Sequence, residues 1–356
     1  MHKRPDNVIC FRCDAGSDIG YGHLIRCLSL ANSTRPKQMC IFAMASSSEG
    51  ARTMVKAAGH RLIELPADGH FDTDILLSKL GAPPDVFVLD ISYDVHEENR
   101  RALKQYVGRL SEGRGLTVLI DGLNSHALVN GPGWDVDILV APYIGAPKTL
   151  PVPHLLSGAQ FVIFDDSYTA SERVCFSDGP AKKVLVTFGG ADTKELTLQA
   201  LKALAQLEGN GFDIHVIIGP SFSLELREKI DSFVDGLKCV TLLYAPDTLA
   251  DQMMWADIAV SATGLTKYEL ALTGTPAVLI SIDETHANAH RPFEEENTAL
   301  HLGVSDKVTV EAIATSVNRL SVDVELRKEL FANGTRLVDS QGRTRIMDYI
   351  MRMLDD

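Results

Sequence analysis

No apolar run in this 356-residue chain approaches the ~20 consecutive residues a helix needs to cross a bilayer. Stable membrane insertion is therefore not expected. The opening stretch, MHKRPDNVICFRCDAGSD, has basic residues but neither the apolar segment nor the small-residue cleavage site of a signal peptide. The expected location is the cytoplasm. Long blocks of Lys and Arg are missing too, and the formal net charge is -13. A nucleic-acid binder needs a basic surface to displace counterions from phosphates, so neither DNA nor RNA is expected as a partner. A small anionic ligand stays open, because local dipoles and a few side chains are enough to hold one.

Cysteine is sparse, with six residues at 10, 13, 27, 40, 175 and 239. Cys10 and Cys13 make a C-x-x-C, but within a strand that odd spacing sends the two side chains to opposite faces. No second C-x-x-C or Cys/His pair completes a zinc site, so buried free thiols are expected and no metal. Short-period repeats and low-complexity stretches are also lacking.

What is present is alternation. The length exceeds the ~100–200 residues of one domain. Strands are expected at Val8–Arg12, Met39–Met44, Arg61–Leu65, Val86–Asp90, Leu116–Asp121 and Ile138–Val140. Helices are expected between them at His23–Asn32, Ala51–Ala58 and Glu97–Leu110. A Pro-, Gly-, Ser- and Asp-rich stretch follows, and the pattern restarts. Strands at Lys183–Phe188, Ile214–Ile218, Val240–Tyr244, Ile258–Ser261 and Ala277–Ser281 alternate with helices at Leu196–Leu207, Leu224–Val234, Thr248–Trp255 and Lys267–Thr273. Helices then follow at 285–301, 309–318, 323–333 and 343–354. Two βαβ series imply two parallel sheets covered by helices on both faces. The expected division is 1–165, a crossover linker at 166–182, a second domain at 183–340 and a terminal helix at 341–356 that packs back toward the first domain. Ligands of such sheets bind beyond the carboxyl ends of the strands, which for two facing sheets is the cleft between domains.

Three turns carry candidate chemistry. The first runs Arg12-Cys-Asp14-Ala-Gly16-Ser-Asp-Ile-Gly20-Tyr-Gly22-His23-Leu-Ile-Arg26, after the first strand and into the first helix. Glycines permit a tight turn, and a helix N-terminus offers free N–H groups. A histidine there, destabilised as a cation by the dipole, is suited to general-base work. The bland alternative is a histidine that only caps or packs. The spacing is neither a Rossmann fingerprint nor a Walker A loop. The second turn is Phe188-Gly189-Gly190-Ala191-Asp192, where a Gly pair lets backbone N–H groups meet a phosphate; many βα turns carry Gly-Gly for purely structural reasons. The third is Ser261-Ala-Thr263-Gly264-Leu-Thr266-Lys-Tyr-Glu269. Its hydroxyls suit phosphate oxygens, and Glu269 suits a pair of ribose hydroxyls. Its bland alternative is a capping box from Thr266 to Glu269.

Together these turns resemble the nucleotide-sugar hydrolase of pseudaminic acid synthesis. They are equally similar to the spore-coat polysaccharide protein family, often fused to a sialic-acid-type cytidylyltransferase. Both are related to the lipid II-forming N-acetylglucosaminyltransferase. The resemblance runs nearly end to end and implies a GT-B fold: α/β, with two Rossmann-like parallel-sheet domains facing a cleft. It implies His23 as catalytic base, with Asp14 in the same signature, and Arg12, Gly20, Gly22 and Arg26 around them. It implies that Gly189, Gly190, Asp192, Thr263, Gly264 and Thr266 hold UDP and that Glu269 takes the ribose. The segment Asp283-Glu-Thr-His286-Ala-Asn288 is similar to a loop facing the sugar. Two departures stand out: the hydrolase's D-H-Y-G is Asp90-Ile-Ser-Tyr93 here, and an arginine expected after the crossover turn is Asp165. Asp90, Asp121 and Tyr93 keep the cleft chemically equipped.

The implied activity is hydrolysis of a UDP- or other NDP-activated amino sugar in nonulosonic-acid or surface-polysaccharide synthesis, without a cofactor. A cytidylyltransferase-type enzyme is the implied partner. A glycosyltransferase with the same site is the alternative, and a non-catalytic NDP-sugar-binding module is the further one.

Overall fold

Runs such as Val86–Asp90 (VFVLD) and Leu116–Ile120 (LTVLI) carry apolar side chains toward both faces of a strand. That pattern suits a parallel sheet sandwiched between helices. The structure, a computed structural model, describes all residues except 1–6, 17–18, 35–37, 46, 67–70, 92–96, 113–114, 122–133, 171–177, 247 and 356. The chain divides into two compact units, 1–165 with 341–356, and 166–340.

The first unit alternates β1 (Val8–Cys13), α1 (Gly22–Asn32), β2 (Met39–Met44), α2 (Glu49–Ala57), β3 (Arg61–Glu64), α3 (Thr73–Leu80), β4 (Val86–Asp90) and α4 (Glu97–Ser111). Then come β5 (Leu116–Ile120), β6 (Ile138–Ala141) and β7 (His154–Ser157). Among the described residues these form a seven-stranded sheet in the order β3-β2-β1-β4-β5-β6-β7, parallel at each pairing. Alternate residues supply its two cores. Ile9, Phe11 and Cys13 pack with α1 and α2, while Cys10, Phe87 and Leu89 pack with α3 and α4. Cys10 and Cys13 thus face opposite sides, as the odd spacing requires.

The second unit runs β8 (Lys183–Thr187), α5 (Leu196–Ala205), β9 (Asp213–Ile218), α6 (Leu224–Val234), β10 (Val240–Tyr244), α7 (Ala250–Trp255), β11 (Ile258–Ala262) and α8 (Thr266–Leu272). It continues with β12 (Ala277–Ser281), α9 (Glu284–Glu295), β13 (Leu300–Val304), α10 (Val310–Val322) and α11 (Val324–Leu337). Its six described strands are also parallel, in the order β10-β9-β8-β11-β12-β13. The last helix, α12 (Gly342–Asp355), belongs to the first unit, where Ile346, Met347 and Ile350 share a core with α1.

Three elements differ from the sequence expectation. Residues 300–304, of which only the first two fall in the helix expected at 285–301, form strand β13. Helix α9 stops at Glu295, and Asn297 then turns into the left-handed region at φ 49°, which asparagine tolerates better than most residues. Strand β7 is only four residues long, at the sheet edge, too short to show a period. Helix α3 is also additional. Asp72 caps it by accepting from the amides of Asp74 and Ile75, and Gly81 ends it at φ 79°. No helix among the described residues is long and apolar enough to cross a membrane.

In each unit the strand order reverses once at the centre, between β1 and β4 and between β8 and β11. Such a reversal splays the neighbouring loops apart and leaves a crevice at the strands' carboxyl ends.

Candidate active site

The parallel register sets Cys13 at the end of β1 beside Asp90 at the end of β4. The turn leaving β1 closes through reciprocal backbone hydrogen bonds between Gly16 and Gly20, with Gly20 at φ 80°. Tyr21 precedes α1, its hydroxyl 2.7 Å from Ser48 Oγ. His23 and Arg26 then lie one turn apart on the same face of α1.

Both converge on Asp90. Arg26 holds its carboxylate with two bonds, Nε to Oδ2 at 2.7 Å and Nη2 to Oδ1 at 2.8 Å, and His23 Nδ1 lies 2.7 Å from Oδ1. Asp90 is 1% exposed and Arg26 4%. Burial pushes the Asp90 carboxyl up, but the Arg26 charge, the His23 charge and their hydrogen bonds outweigh it and bring it down to about 2. Asp90 is therefore an acceptor only. Arg26 Nη2 also lies 3.0 Å from His23 Nδ1. Two donors cannot bond one another, and the shorter contact is to the carboxylate, so Nδ1 carries the proton and gives it to Asp90. In the neutral imidazole Nε2 then holds the lone pair. It makes no hydrogen bond among the described residues, and the side chain is 18% exposed.

This geometry redistributes the expected roles. Arg26 and Asp90, expected to touch substrate, are buried and engaged with His23 and each other. Asp14, expected beside the base, is bound to Arg12 Nη1 at 2.8 Å and accepts from the Ala45 amide at 2.7 Å. Asp14 and the fully buried Arg12 thus tie the β1 turn to the end of β2. Asp121 is also buried and accepts from the Tyr143 hydroxyl at 2.7 Å. Tyr93 lies outside the described residues.

In the second unit the turn after β8 exposes Gly189, at φ 75°, and Gly190. A Cβ on either would meet no atom within 4 Å, so a ligand can approach their backbone closely. Beneath them, the turn after β9 brings Gly219 so close to the Gly189 and Gly190 carbonyls that a side chain there cannot fit. Asp192 follows in the same turn. Its two oxygens accept from the Leu196 and Thr197 amides at 2.9 and 2.8 Å, so it caps α5. Burial raises its carboxyl above the ordinary value.

The turn after β11 holds Thr263, which is buried, and the half-buried Gly264 and Thr266, with Glu269 half-buried one turn into α8. The capping box does not form, because α8 begins at Thr266 with Leu265 before it and no side-chain cap. Thr263 Oγ1 instead lies 3.0 Å from Ser281 Oγ, which is 2.9 Å from His301 Nε2. Ser281, His301, His290 and the buried Lys267 escaped the sequence reading. His286 and Asn288, in the segment likened to a loop facing the sugar, belong to the first turns of α9, within the helix expected from 285. Asp283 caps this helix and holds both the amide and the Nδ1 of His286 at 2.8 Å.

These two sites stand on a fold met before. At 13% identity, MurG of Acinetobacter baumannii superposes over 97% of this chain and 99% of its own, with a TM-score of 0.66. The UDP-GlcNAc 2-epimerase of Neisseria meningitidis bound to UDP-GlcNAc matches at 11% identity, 97% and 100% coverage and a TM-score of 0.63. The calicheamicin glycosyltransferase CalG4 matches at 15% identity, 99% coverage of both chains and a TM-score of 0.60. The fold is GT-B. Among curated proteins, the spore coat polysaccharide biosynthesis protein SpsG of Bacillus subtilis is 21% identical over 337 residues, 94% of each chain. An uncharacterized protein of Methanocaldococcus jannaschii, MJ1062, is 23% identical over 334 residues, which are 86% of this chain and 66% of that one. No protein-family model matches the chain.

Proposed function

We propose that this protein is a nucleotide-sugar hydrolase that releases UDP, or another nucleoside diphosphate, from an activated amino sugar used in a surface polysaccharide or a nonulosonic acid. The observation that carries the proposal is the fixed histidine, its Nδ1 2.7 Å from Asp90 and its Nε2 without a hydrogen bond among the described residues, at the switch point of a GT-B sheet. Nε2 takes a proton from water while that oxygen bonds to the anomeric carbon. The bond from that carbon to the diphosphate oxygen breaks, and its electron pair leaves with UDP. Diphosphate is a good leaving group, so a second carboxylate of the glycosidase kind is not required. In the second unit, the open Gly189-Gly190 backbone and the Thr263 to Thr266 turn take the phosphates, and Glu269 takes the ribose. The similarity to SpsG supports polysaccharide synthesis, and the epimerase complex with UDP-GlcNAc supports a UDP-sugar. A cytidylyltransferase-type enzyme is the partner this pathway implies.

A transferase is the second reading, favoured by the likeness to CalG4. It differs only in that Nε2 would deprotonate an acceptor hydroxyl instead of water.

Binding is tested by calorimetry with UDP, UMP and uridine. Wild type should bind UDP most tightly, and Glu269→Ala should weaken all three by about 10-fold or more, as expected for a lost pair of charged hydrogen bonds. Affinities of the variant unchanged from wild type for all three ligands would remove Glu269 from the ribose.

A further inference from the structure

Lysine is almost never buried without a partner. Lys267, in the first turn of α8, is 6% exposed. Its ammonium lies 5.2 Å from the Tyr268 ring centre and 5.4 Å from that of Phe293. Among the described residues it has no hydrogen-bond acceptor and no carboxylate within ion-pair distance. The titratable groups facing it from the packed elements are His290 on α9 and His301 on β13. Glu294 lies on the other side of His301, 3.5 Å from Nδ1. Where α11 packs against α8 and its following turn, it presents Phe331, Gly334 and Thr335. His290 is 1% exposed, its ring 4.3 Å from that of His301, and neither of its nitrogens has a partner. A lysine buried along most of its length therefore sets its cation beside two basic rings, with two aromatic faces but no counter-ion against it among the described residues. The cluster is joined to the ligand turn by the chain His301, Ser281, Thr263.

We propose that Lys267 is a binding residue whose counter-ion is the phosphate group of the bound nucleotide, supplied only when the ligand occupies the Thr263-Gly264 turn. This rests on the nucleotide-sugar reading above and adds the residue that sets affinity. Two consequences follow from physics. An uncompensated buried charge destabilises the empty protein, so removing it should stabilise. Burial already lowers the Lys267 ammonium to about 8, so an anion that needs it protonated should bind progressively less well above that pH. His290 is driven to about 3 by burial, by Lys267 and by His301, and His301 is lowered by burial despite Glu294. Both rings are therefore neutral in this range and do not contribute to the change.

The test uses UDP and the whole chain. Wild-type affinity is measured by calorimetry from about pH 7 to about pH 9.5, and Lys267→Met is compared at pH 7 together with its thermal midpoint. The expected results are a fall in wild-type affinity of ~10-fold or more across that range, a ~10–100-fold weaker variant, and a variant that melts no lower than wild type. Wild-type binding that is flat with pH, or a variant that binds as wild type does, overturns the proposal while leaving the nucleotide reading intact. No UDP binding by wild type at any pH overturns both. The wild-type pH series decides the matter even if the variant fails to fold.

Discussion

Asp90 decides what His23 can do, and that role could not be read from its position in the chain. As a residue at a strand end it was visible, as were His23, Arg26 and the glycines around them. What joined them was the register between β1 and β4, which sets Cys13 against Asp90 across 77 residues of chain. Lys267 was overlooked for a related reason. A lysine after a threonine reads as a solvent-facing side chain until Phe293 and His290, more than twenty residues on, are folded over it. Asp90 also carries a prediction. Its carboxyl is held at about 2 in the folded protein, below its ordinary unfolded value of ~3.9. A depressed carboxyl contributes stability that is complete above the unfolded value and is lost as pH falls toward the folded one. The contribution is on the order of 2 kcal/mol. Urea unfolding of wild type should lose about that much between roughly pH 5 and pH 2, an increment that Asp90→Asn should lack. Equal acid sensitivity in the two proteins would show that the Arg26–Asp90 pair is not what holds this end of β4.

At the scale of elements, most strands and helices were legible from apolar runs and turn residues. Failures came where the deciding feature was local backbone geometry or partnership. The Asn297 turn cut a helix short, and β7 exists because β6 offers it an edge. Helix α12 shows how tightly one position can be set. Gly342 opens the helix where a Cβ would overlap the Val162 carbonyl oxygen and the Phe161 backbone. Gly342→Ala must shift one of those backbones, so it should destabilise the first unit by ~1–3 kcal/mol, the usual cost of overpacking. Its readout is the urea midpoint at neutral pH. An unchanged midpoint would mean that α12 settles on the unit without this close approach.

For the molecule as a whole, the alternation of strand and helix was enough to give two parallel α/β units, and resemblance of the turns pointed to GT-B. Each sheet reverses its order between the strands that carry its candidate groups, β1 and β4 in one and β8 and β11 in the other. Function was less legible than fold, because hydrolysis and transfer require the same base and the same nucleotide contacts. The catalytic role of His23 is tested by UDP release from a panel of UDP-amino sugars, in buffer alone and with sugar acceptors, by wild type and His23→Ala. Release in buffer alone is expected, falling ~10²–10⁴-fold in the variant while UDP binding persists. Undiminished release by His23→Ala would contradict that role, and release that requires an acceptor would replace the hydrolase by a transferase.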